Sequence, residues 1–325
     1  EVNELTDGGI SVSLVGDAEV HRIPEAAVRS WVVLDATGIS LDDDAVLDTL
    51  RALFVGVGDA GEQAEFLVDY IGGVHIMGGV PGSVCCEPDT AERLLTAMRD
   101  GDDVIDVWPE EDPDAKGVAW AEALGITELV GQFTTNFVPG QTRVRNIQRI
   151  AELTQGAVIE PGATFSVNDY VGRRTRENGF VAAGVISNGV FTESVGGGIS
   201  QYATTLFNAA FFAGLDFGEY QSHSIYISRY PYGREATVSF PAPDLQIVNN
   251  TPHGVLVWPT TTDDSITVQL YSTRTVTGEQ SGQTERREGT SCTRVNTERT
   301  RTWTDGRTEV DTVTARYRPE GINCN

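Results

Sequence analysis

The sequence feature that most constrains the fold is a run of three glycines placed directly before a long apolar stretch. Because glycine has no side chain, the segment Gly196–Gly198 predicts a sharp turn whose backbone approaches its surroundings closely. The residues that follow predict a helix from about Ser200 to Ala213, and Gly214 is a natural C-terminal cap. Apolar residues dominate this helix, so we expect it to be a central, buried element.

The glycine run is also a candidate for chemistry. Gly196, Gly197 and Gly198 leave backbone N–H groups open to a ligand beside the start of a helix. A nucleophile at that start, Ser200, would lie near the positive end of the helix, where N–H groups can form an oxyanion hole. No lysine follows the glycines, so the segment is not a P-loop. The alternative is that Ser200 only caps the helix and that the glycines pack a tight turn.

A group of polar residues further along the chain completes the candidate site. His223 suits a general base, since the pKa of histidine is about 6.5; the alternative is a histidine hydrogen-bonded within a turn. Arg229, Tyr230, Arg234 and Glu235 cluster after it, and arginine suits a carboxylate-bearing substrate. The alternative for these arginines is ion pairing at the surface. No two histidines stand at ligand spacing, so we expect neither a metal ion nor a cofactor.

The charge of the chain limits its partners. The 325 residues carry 47 Asp and Glu against 23 Lys and Arg, a formal net charge of −24. Phosphate contacts need clustered basic residues, so the composition argues against a nucleic-acid binder. No segment has the roughly 18 uncharged apolar residues of a membrane span, so no transmembrane segment is predicted.

The chain length and its composition shifts predict an α+β protein with several parts. Residues 1–110 are predicted to form a small N-terminal α+β domain, and 111–126 an acidic linker and helix. Residues 127–271 are predicted to form a β-rich domain around the central helix that follows the glycines. Residues 272–325, which are polar and rich in Thr and Arg, are predicted to be a β-hairpin appendage.

Three local predictions bear on the site and the appendage. Asn146–Leu153 has helical spacing of its apolar residues. The alternating segment Thr237–Phe240 is predicted to be a strand. Thr297–Thr304 and Glu309–Tyr317 are predicted to pair as a hairpin across an Asp-Gly turn.

The four cysteines fit no zinc motif. Cys292 and Cys324 flank the appendage, where a disulfide would staple it and stabilise the fold by roughly 3–4 kcal/mol. Cys85 and Cys86 are adjacent and either form a vicinal disulfide or contain a simply buried thiol. This cysteine usage favours an oxidising, extracytoplasmic location.

An ordered set of short motifs strongly resembles the VanW family, named for an accessory protein of vancomycin-resistance clusters. The resemblance covers about residues 127–272. Its motifs are, in order, Thr134–Phe137, Arg145–Ile147, Pro161–Asn168, Val171–Thr175, Gly197–Ala209, His223–Ser224, Gly233–Val238 and Asn249–Pro252. Residues 1–110 resemble, more loosely, the domain that precedes VanW domains in bacterial envelope proteins and is proposed to bind peptidoglycan.

The resemblance implies a secreted or membrane-tethered protein of the cell wall that binds peptidoglycan or its stem peptides. Some VanW domains are implicated as transpeptidases similar to L,D-transpeptidases, with a cysteine nucleophile. The residues expected to bind the substrate are Gly196, Gly197, Gly198, Gln201, Asn208, Arg229, Tyr230 and Arg234.

This sequence departs from the family pattern at two candidate catalytic positions. Ser200 stands where the family has its cysteine, and Glu235 where the family usually has Asp. A thiol ionises readily beside a helix N-terminus or a histidine, whereas a serine hydroxyl needs a well-placed base. Ser200 would therefore need His223 within hydrogen-bond reach, with Glu235 or Asn208 to orient the ring.

Three functions follow from these observations. The first is an envelope protein that binds peptidoglycan without cysteine chemistry. The second is an acyl-transfer enzyme with Ser200 as nucleophile and His223 as base. The third is a structural scaffold whose appendage contacts another envelope protein.

Overall fold

The computed structural model of the chain confirms the α+β class, with mixed helices and sheets. The chain divides into two compact units, residues 1–65 with 77–120 and residues 66–76 with 121–325. The structure describes residues 2–36, 38–55, 61–112, 115–187, 190–289 and 291–319, with the side chains of 186–191 excepted.

The first unit is built around a small mixed sheet. In it, β1 (Ile10–Leu14) pairs antiparallel with β2 (Val20–Ile23) and parallel with β8 (Ile105–Val107). Side chains such as Trp31, Leu50 and Leu94 are fully buried in its core, together with the adjacent Cys85 and Cys86. The elements from the start of the chain are α1 (Val2–Thr6), β1 (Ile10–Leu14), β2 (Val20–Ile23), α2 (Glu25–Trp31), β3 (Val32–Asp35), β4 (Gly38–Leu41), α3 (Asp43–Leu53), β5 (Ala64–Val68), β6 (Val74–Gly78), β7 (Ser83–Cys85), α4 (Thr90–Asp100), β8 (Ile105–Val107), β9 (Pro109–Glu111) and α5 (Val118–Ala123). The division between the two units falls within β5, β6 and α5.

The second unit has a four-stranded antiparallel sheet in the order β10 (Glu128–Asn136), β18 (Ser265–Ser272), β17 (Val255–Thr261), β11 (Ala157–Ile159). Helices α6 (Thr142–Thr154) and α8 (Ser200–Ala213) pack on this sheet. A second sheet has the order β12, β16, β15, and β13 pairs with β14. The elements are β10 (Glu128–Asn136), α6 (Thr142–Thr154), β11 (Ala157–Ile159), β12 (Thr164–Ser166), α7 (Val167–Val171), β13 (Ala182–Ser187), β14 (Val190–Val195), α8 (Ser200–Ala213), β15 (Asp216–Phe217), β16 (Gln246–Val248), β17 (Val255–Thr261), β18 (Ser265–Ser272), β19 (Val276–Glu288), β20 (Cys292–Trp303) and β21 (Thr308–Tyr317).

Helix α8 lies at the centre of the second unit, as predicted. It spans Ser200–Ala213, and all its residues except Ser200 and Phe212 are buried. Gly214 ends it in the left-handed conformation, with φ of 77°. Gly131 of β10 permits a close approach to the helix, because a Cβ atom there would lie 2.5 Å from the carbonyl oxygen of Ala209. A core of this kind dominates the stability of a domain.

Of two local predictions, one is wrong and the other is confirmed with longer bounds. The predicted strand at Thr237–Phe240 is wrong, because this segment has irregular backbone. The backbone N–H of Thr237 donates to the carbonyl of Gln221 (2.8 Å), and that of Ser239 donates to the carbonyl of Pro243 (2.8 Å), instead of to a neighbouring strand. Prolines just after the segment cannot donate to a ladder. The helix predicted at 146–153 is longer and spans Thr142–Thr154.

The predicted C-terminal hairpin is present as β20 and β21, and β19 extends it to a three-stranded antiparallel sheet. Val313 of β21 belongs to the same apolar core as α8. Cys292 is buried at the start of β20, while Cys324 lies outside the described residues. The Cys292–Cys324 disulfide therefore stays a prediction, as do the domain boundaries at 110, 126 and 271.

An arginine of this sheet holds the end of α8. Arg299 is 1% exposed and donates to the carbonyl oxygens of Phe211 (3.2 Å) and Leu215 (2.8 Å). Its other nitrogens donate to Asp311 at 2.9 and 2.5 Å. The last carbonyls of a helix have no partner within the helix, and a cation suits the negative end of its dipole. This pair of a buried arginine and a partly exposed aspartate therefore attaches the C-terminal sheet to α8.

Candidate functional site

The glycine turn is shaped by close contacts on every side. Gly196 and Gly198 have positive φ values of 86° and 95°. Gly197 has no room for a side chain, since a Cβ atom would lie 2.2 Å from the carbonyl oxygen of Ala183. Buried Asn146 of α6 donates to the carbonyls of Gly197 (2.8 Å) and of residue 181 (2.9 Å). The turn is therefore held in one conformation that only glycine can adopt.

Ser200 is the first residue of α8, but its side chain does not cap the helix. Ile199 occupies the N-cap position without a side-chain hydrogen bond. The Ser200 hydroxyl instead lies 3.0 Å from the hydroxyl of Thr237 and accepts a bond of 3.3 Å from the backbone N–H of Val238. The reading of Ser200 as a helix cap is therefore wrong, because its hydroxyl turns towards the 237–238 segment.

The structure brings His223 and Glu235 together. The Nδ1 atom of His223 lies 2.5 Å from Oε2 of Glu235, and the two residues are 6% and 1% exposed. When Nδ1 donates to the Glu235 carboxylate in this contact, Nε2 is the ring nitrogen left to accept a proton. The pair has the arrangement of a general base with its orienting carboxylate. The side chain of Ser200 bonds to Thr237 and Val238, and the ring of His223 bonds to Glu235.

Two tyrosines enclose this pair. The ring of Tyr230 stacks on that of His223, with centroids 5.3 Å apart at an angle of 30°. Burial raises the pKa of Tyr230 to about 12, although the charges of Arg143 and Arg229 act to lower it. Burial and the charge of Glu235 also raise the pKa of Tyr317. Both phenols therefore stay protonated at neutral pH and remain hydrogen-bond donors.

Gln201 lies beside Ser200 and links α8 to two other elements. It is fully buried, and its amide nitrogen donates to Thr135 (2.9 Å) and to the carbonyl of Asn136 (3.0 Å). Its amide oxygen accepts from Arg143 of α6. The Cβ atom of Arg143 packs over Gly198, where an added Cβ would lie 2.7 Å away. The glycine run therefore lets an arginine approach the start of α8.

The other predicted binding residues lie in different environments. Arg229 is exposed, with its guanidinium carbon 5.8 Å from the ring centroid of Tyr230. Arg234 is half-buried and packs over the rings of Phe211 and Phe212 at 5.1 and 4.9 Å. Asn208 is fully buried and donates to the carbonyl of Arg234 (3.0 Å), so it holds the backbone next to Glu235.

Sequence reasoning missed several residues of this site. Arg143 precedes the first motif of α6 that was recognised, and Thr237 was assigned to a strand. Tyr317 comes from the predicted appendage, far along the chain. Of these three residues, only Thr237 could have been placed at the site from the sequence, because it belongs to the same motif as Glu235.

Two concave surfaces lie in the second unit, and neither is lined by Ser200, His223 or Glu235. They have volumes of about 340 and 590 Å³. The hydrogen-bonded side chains therefore define the candidate site, because chemistry needs reacting groups in a defined mutual geometry.

The described residues offer neither a metal-binding cluster nor a membrane-spanning helix. No group of three or more His, Cys, Asp or Glu side chains within these ranges is arranged to hold a metal ion. Across the same part of the chain, no helix has both the length and the hydropathy to span a bilayer.

Residues 142–271 match the family model described as "VanW like protein". They include the glycine turn, α8, His223 and Glu235, so the candidate site lies inside the match. This region of the chain is therefore a VanW family domain. The match does not reach residues 1–110, for which the resemblance to a peptidoglycan-binding domain is not confirmed.

Two curated proteins are similar to part of the chain. "Uncharacterized protein YoaR" of Bacillus subtilis (strain 168) is 38% identical over 147 residues, which are 45% of this chain and 48% of that protein. "Vancomycin B-type resistance protein VanW" of Enterococcus faecalis (strain ATCC 700802 / V583) is 26% identical over 137 residues, 41% of this chain and 50% of that protein. The chain thus spans about half the length of the curated relatives it matches.

Two solved structures overlap with the chain only weakly. One is the avibactam carbamoyl enzyme of an L,D-transpeptidase, and the other is a cysteine-to-serine mutant of the Enterococcus faecium L,D-transpeptidase. Each has a TM-score of 0.24 and 14% identity over 60% of this chain, covering 72% and 73% of the respective structures. At these values the overlap establishes neither a shared fold nor a shared activity.

Proposed function

We propose that the chain is an extracytoplasmic, cell-wall-associated protein that binds peptidoglycan stem peptides at the start of α8. The VanW family match to residues 142–271 supports a role at the cell wall. The name of the E. faecalis relative, a vancomycin resistance protein, agrees with that role. Under this proposal the N-terminal unit adds a second contact to the polymer.

The observation that favours binding over catalysis is the position of the Ser200 hydroxyl. It bonds to Thr237 and accepts from the N–H of Val238, so the contacts it makes are structural ones. A serine nucleophile needs its base at hydrogen-bond distance when it attacks, and His223 bonds to Glu235. The glycine turn and nearby arginines then serve to hold a ligand.

Acyl transfer is the second candidate, and the buried His223–Glu235 pair is the observation that favours it. In that reaction Ser200 Oγ would attack a peptide carbonyl while Nε2 of His223 accepts the hydroxyl proton. The amine of the cleaved bond would leave with that proton, and an acceptor amine would then displace the ester. Glu235 would hold the ring in the required orientation.

The two candidates separate in one experiment with peptidoglycan fragments that carry tetrapeptide stems. Wild type, Ser200→Ala and Ser200→Cys are compared, with the exposed Ser228→Ala as a matched control. Binding is measured by calorimetry and products by mass spectrometry. We expect equal affinities in wild type, Ser200→Ala and the control, with no cross-linked or cleaved product from any of them.

A wild-type product that disappears in Ser200→Ala but persists in Ser228→Ala would establish acyl transfer instead. Turnover that appears only in Ser200→Cys would show that the His223–Glu235 pair can activate a thiol, which ionises more readily than a hydroxyl. Failure of the wild type to bind any stem peptide would overturn the binding proposal.

A further inference from the structure

Two arginines from different parts of the chain meet at Tyr230. The guanidinium of Arg229 lies 5.8 Å from the centroid of its ring. Arg143 of α6 interacts with the hydroxyl of the same tyrosine. Tyr230 itself is 4% exposed, whereas Arg229 is exposed, so the cluster is buried on one side and open to solvent on the other.

Among the residues that the structure describes, no carboxylate forms an ion pair with either of these two arginines. Arg143 donates to two neutral amide oxygens, of Gln141 (3.1 Å) and Gln201. Glu235, whose charge also acts on Tyr230, is already bonded to His223. In a chain with 47 acidic and 23 basic residues, acidic partners are plentiful, so this pair is a clear departure.

Keeping these cations together has a cost. Burial and the charge of Arg229 lower the pKa of Arg143. Like charges at short range disfavour each other, and the effect is larger when water is partly excluded. The C-terminal sheet shows the contrasting solution, because buried Arg301 there bonds to Asp311 at 3.2 Å and to Glu309 at 3.1 Å. An anionic ligand at Tyr230 would offset the repulsion in the same way.

Arg234, the other arginine predicted for this site, has a different role. Arg234 packs its guanidinium over Phe211 and Phe212, and its Nε and Nη1 atoms are buried. An arginine on aromatic faces contributes mainly by stacking and packing. Of the two arginines predicted from the sequence, Arg234 therefore packs on aromatic rings, whereas Arg229 lies near a second cation, Arg143.

We propose that Arg143 and Arg229, with the hydroxyl of Tyr230, bind a carboxylate of the peptide ligand. This inference rests on the proposed function, because it assigns a subsite to the stem peptide. The planar guanidinium matches a carboxylate with two parallel hydrogen bonds, and Tyr230 adds a neutral donor. Gln201 connects Arg143 to Ser200, so a carboxylate at the arginines places the adjoining peptide at the glycine turn.

The test uses the full chain and a soluble tetrapeptide stem in two forms, one with free carboxylates and one with those groups converted to amides. Calorimetry measures the affinity of each form for wild type, Arg229→Ala, Arg143→Gln and Arg143→Lys. Arg176→Ala is the matched control, since Arg176 is an exposed arginine of the same domain. Circular dichroism shows that each variant is folded.

We expect Arg229→Ala and Arg143→Gln each to weaken binding of the carboxylate form by about tenfold, equivalent to about 1.4 kcal/mol. Arg143→Lys keeps the charge but loses the paired geometry, so its loss should be smaller. The amidated peptide should bind wild type and both arginine variants with the same, lower affinity. Arg176→Ala should match wild type throughout.

Different failures have different meanings. If wild type binds the amide as tightly as the acid, or if the variants weaken both forms equally, the inference is wrong and the proposed function survives. If wild type binds neither form, both fail. If inorganic phosphate binds at these arginines while the stem peptide does not, the cluster is a phosphate site and the carboxylate assignment is overturned.

Discussion

The two ends of α8 satisfy their backbone in opposite ways. At the C-terminal end, Gly214 turns the chain and Arg299 donates to the last carbonyls while Asp311 holds its charge. At the N-terminal end, Ile199 offers no side-chain cap, and two arginines gather nearby without an acidic partner among the described residues. The ion pair at the C-terminal end attaches the helix to the neighbouring sheet. The arginines without an acidic partner make the N-terminal end suited to an anionic ligand.

The largest effect should come from the C-terminal end. Arg299→Ala removes the arginine donor to the carbonyls of Phe211 and Leu215 and leaves Arg301 as the remaining cation of Asp311. Breaking a buried pair costs about 3–5 kcal/mol, and because Asp311 is partly exposed and keeps Arg301, urea unfolding should show a loss of about 3 kcal/mol. The exposed Arg287→Ala of β19 should change the free energy of unfolding by less than about 0.5 kcal/mol. Equal losses in the two variants would remove the distinction between the helix ends.

The next effect concerns alkaline pH. Burial raises the pKa of Tyr230 to about 12, against about 10 in the unfolded chain, so the unfolded chain loses this proton first. The stability from Tyr230 should be fully present below pH 10 and should be lost as pH rises towards 12. The loss over this window should be about 2–3 kcal/mol.

Tyr230→Phe removes the titrating group and should flatten that part of the stability curve. Unfolding by urea at pH 8, 10 and 11.5 measures the effect, and Tyr170→Phe, at a half-exposed tyrosine, is the control. A wild-type curve that stays flat above pH 10 would contradict the assigned burial.

A smaller effect should follow from Glu235→Gln. The change removes the charge that accepts from His223 but keeps the size of the side chain. A hydrogen bond to a charged group contributes about 1.5–3 kcal/mol, so we expect a loss of about 2 kcal/mol. The exposed Glu279→Gln should be neutral, and no loss in Glu235→Gln would show that the pair does not hold the site.

The smallest effect should come from Ser200→Ala. It removes the bonds to Thr237 and to the N–H of Val238, which are 3.0 and 3.3 Å long. We expect a loss of about 1 kcal/mol in the free energy of unfolding, since each such bond contributes about that much or less. A loss above about 3 kcal/mol would mean that Ser200 holds the whole start of α8.

The sequence predicted the local elements of this site better than its long-range contacts. The glycines at both ends of α8 predicted its bounds, because a tight turn or a helix cap depends on the identity of single residues. The His223–Glu235 contact was anticipated as one of two ways to orient the ring. The part played by Tyr317 could not be anticipated, since it depends on how a distant strand packs, which local periodicity does not report.

The strand predicted at 237–240 is a second case in which local sequence patterns did not report a long-range contact. Alternating residues are compatible with a strand, but tertiary contacts decide the outcome. Here Val238 donates to Ser200 instead of to a neighbouring strand, and this contact determines where the Ser200 hydroxyl points. The error in local structure therefore hid the feature that best distinguishes binding from catalysis.

Amide hydrogen exchange with and without a soluble tetrapeptide stem tests the central claim most directly. If the N-terminal end of α8 is the ligand-binding end, exchange should slow at residues 196–201 and 229–235. Exchange around Gly214 and Arg299 should remain unchanged. Protection confined to the C-terminal end, or no protection at the glycine turn under saturating peptide, would contradict the account.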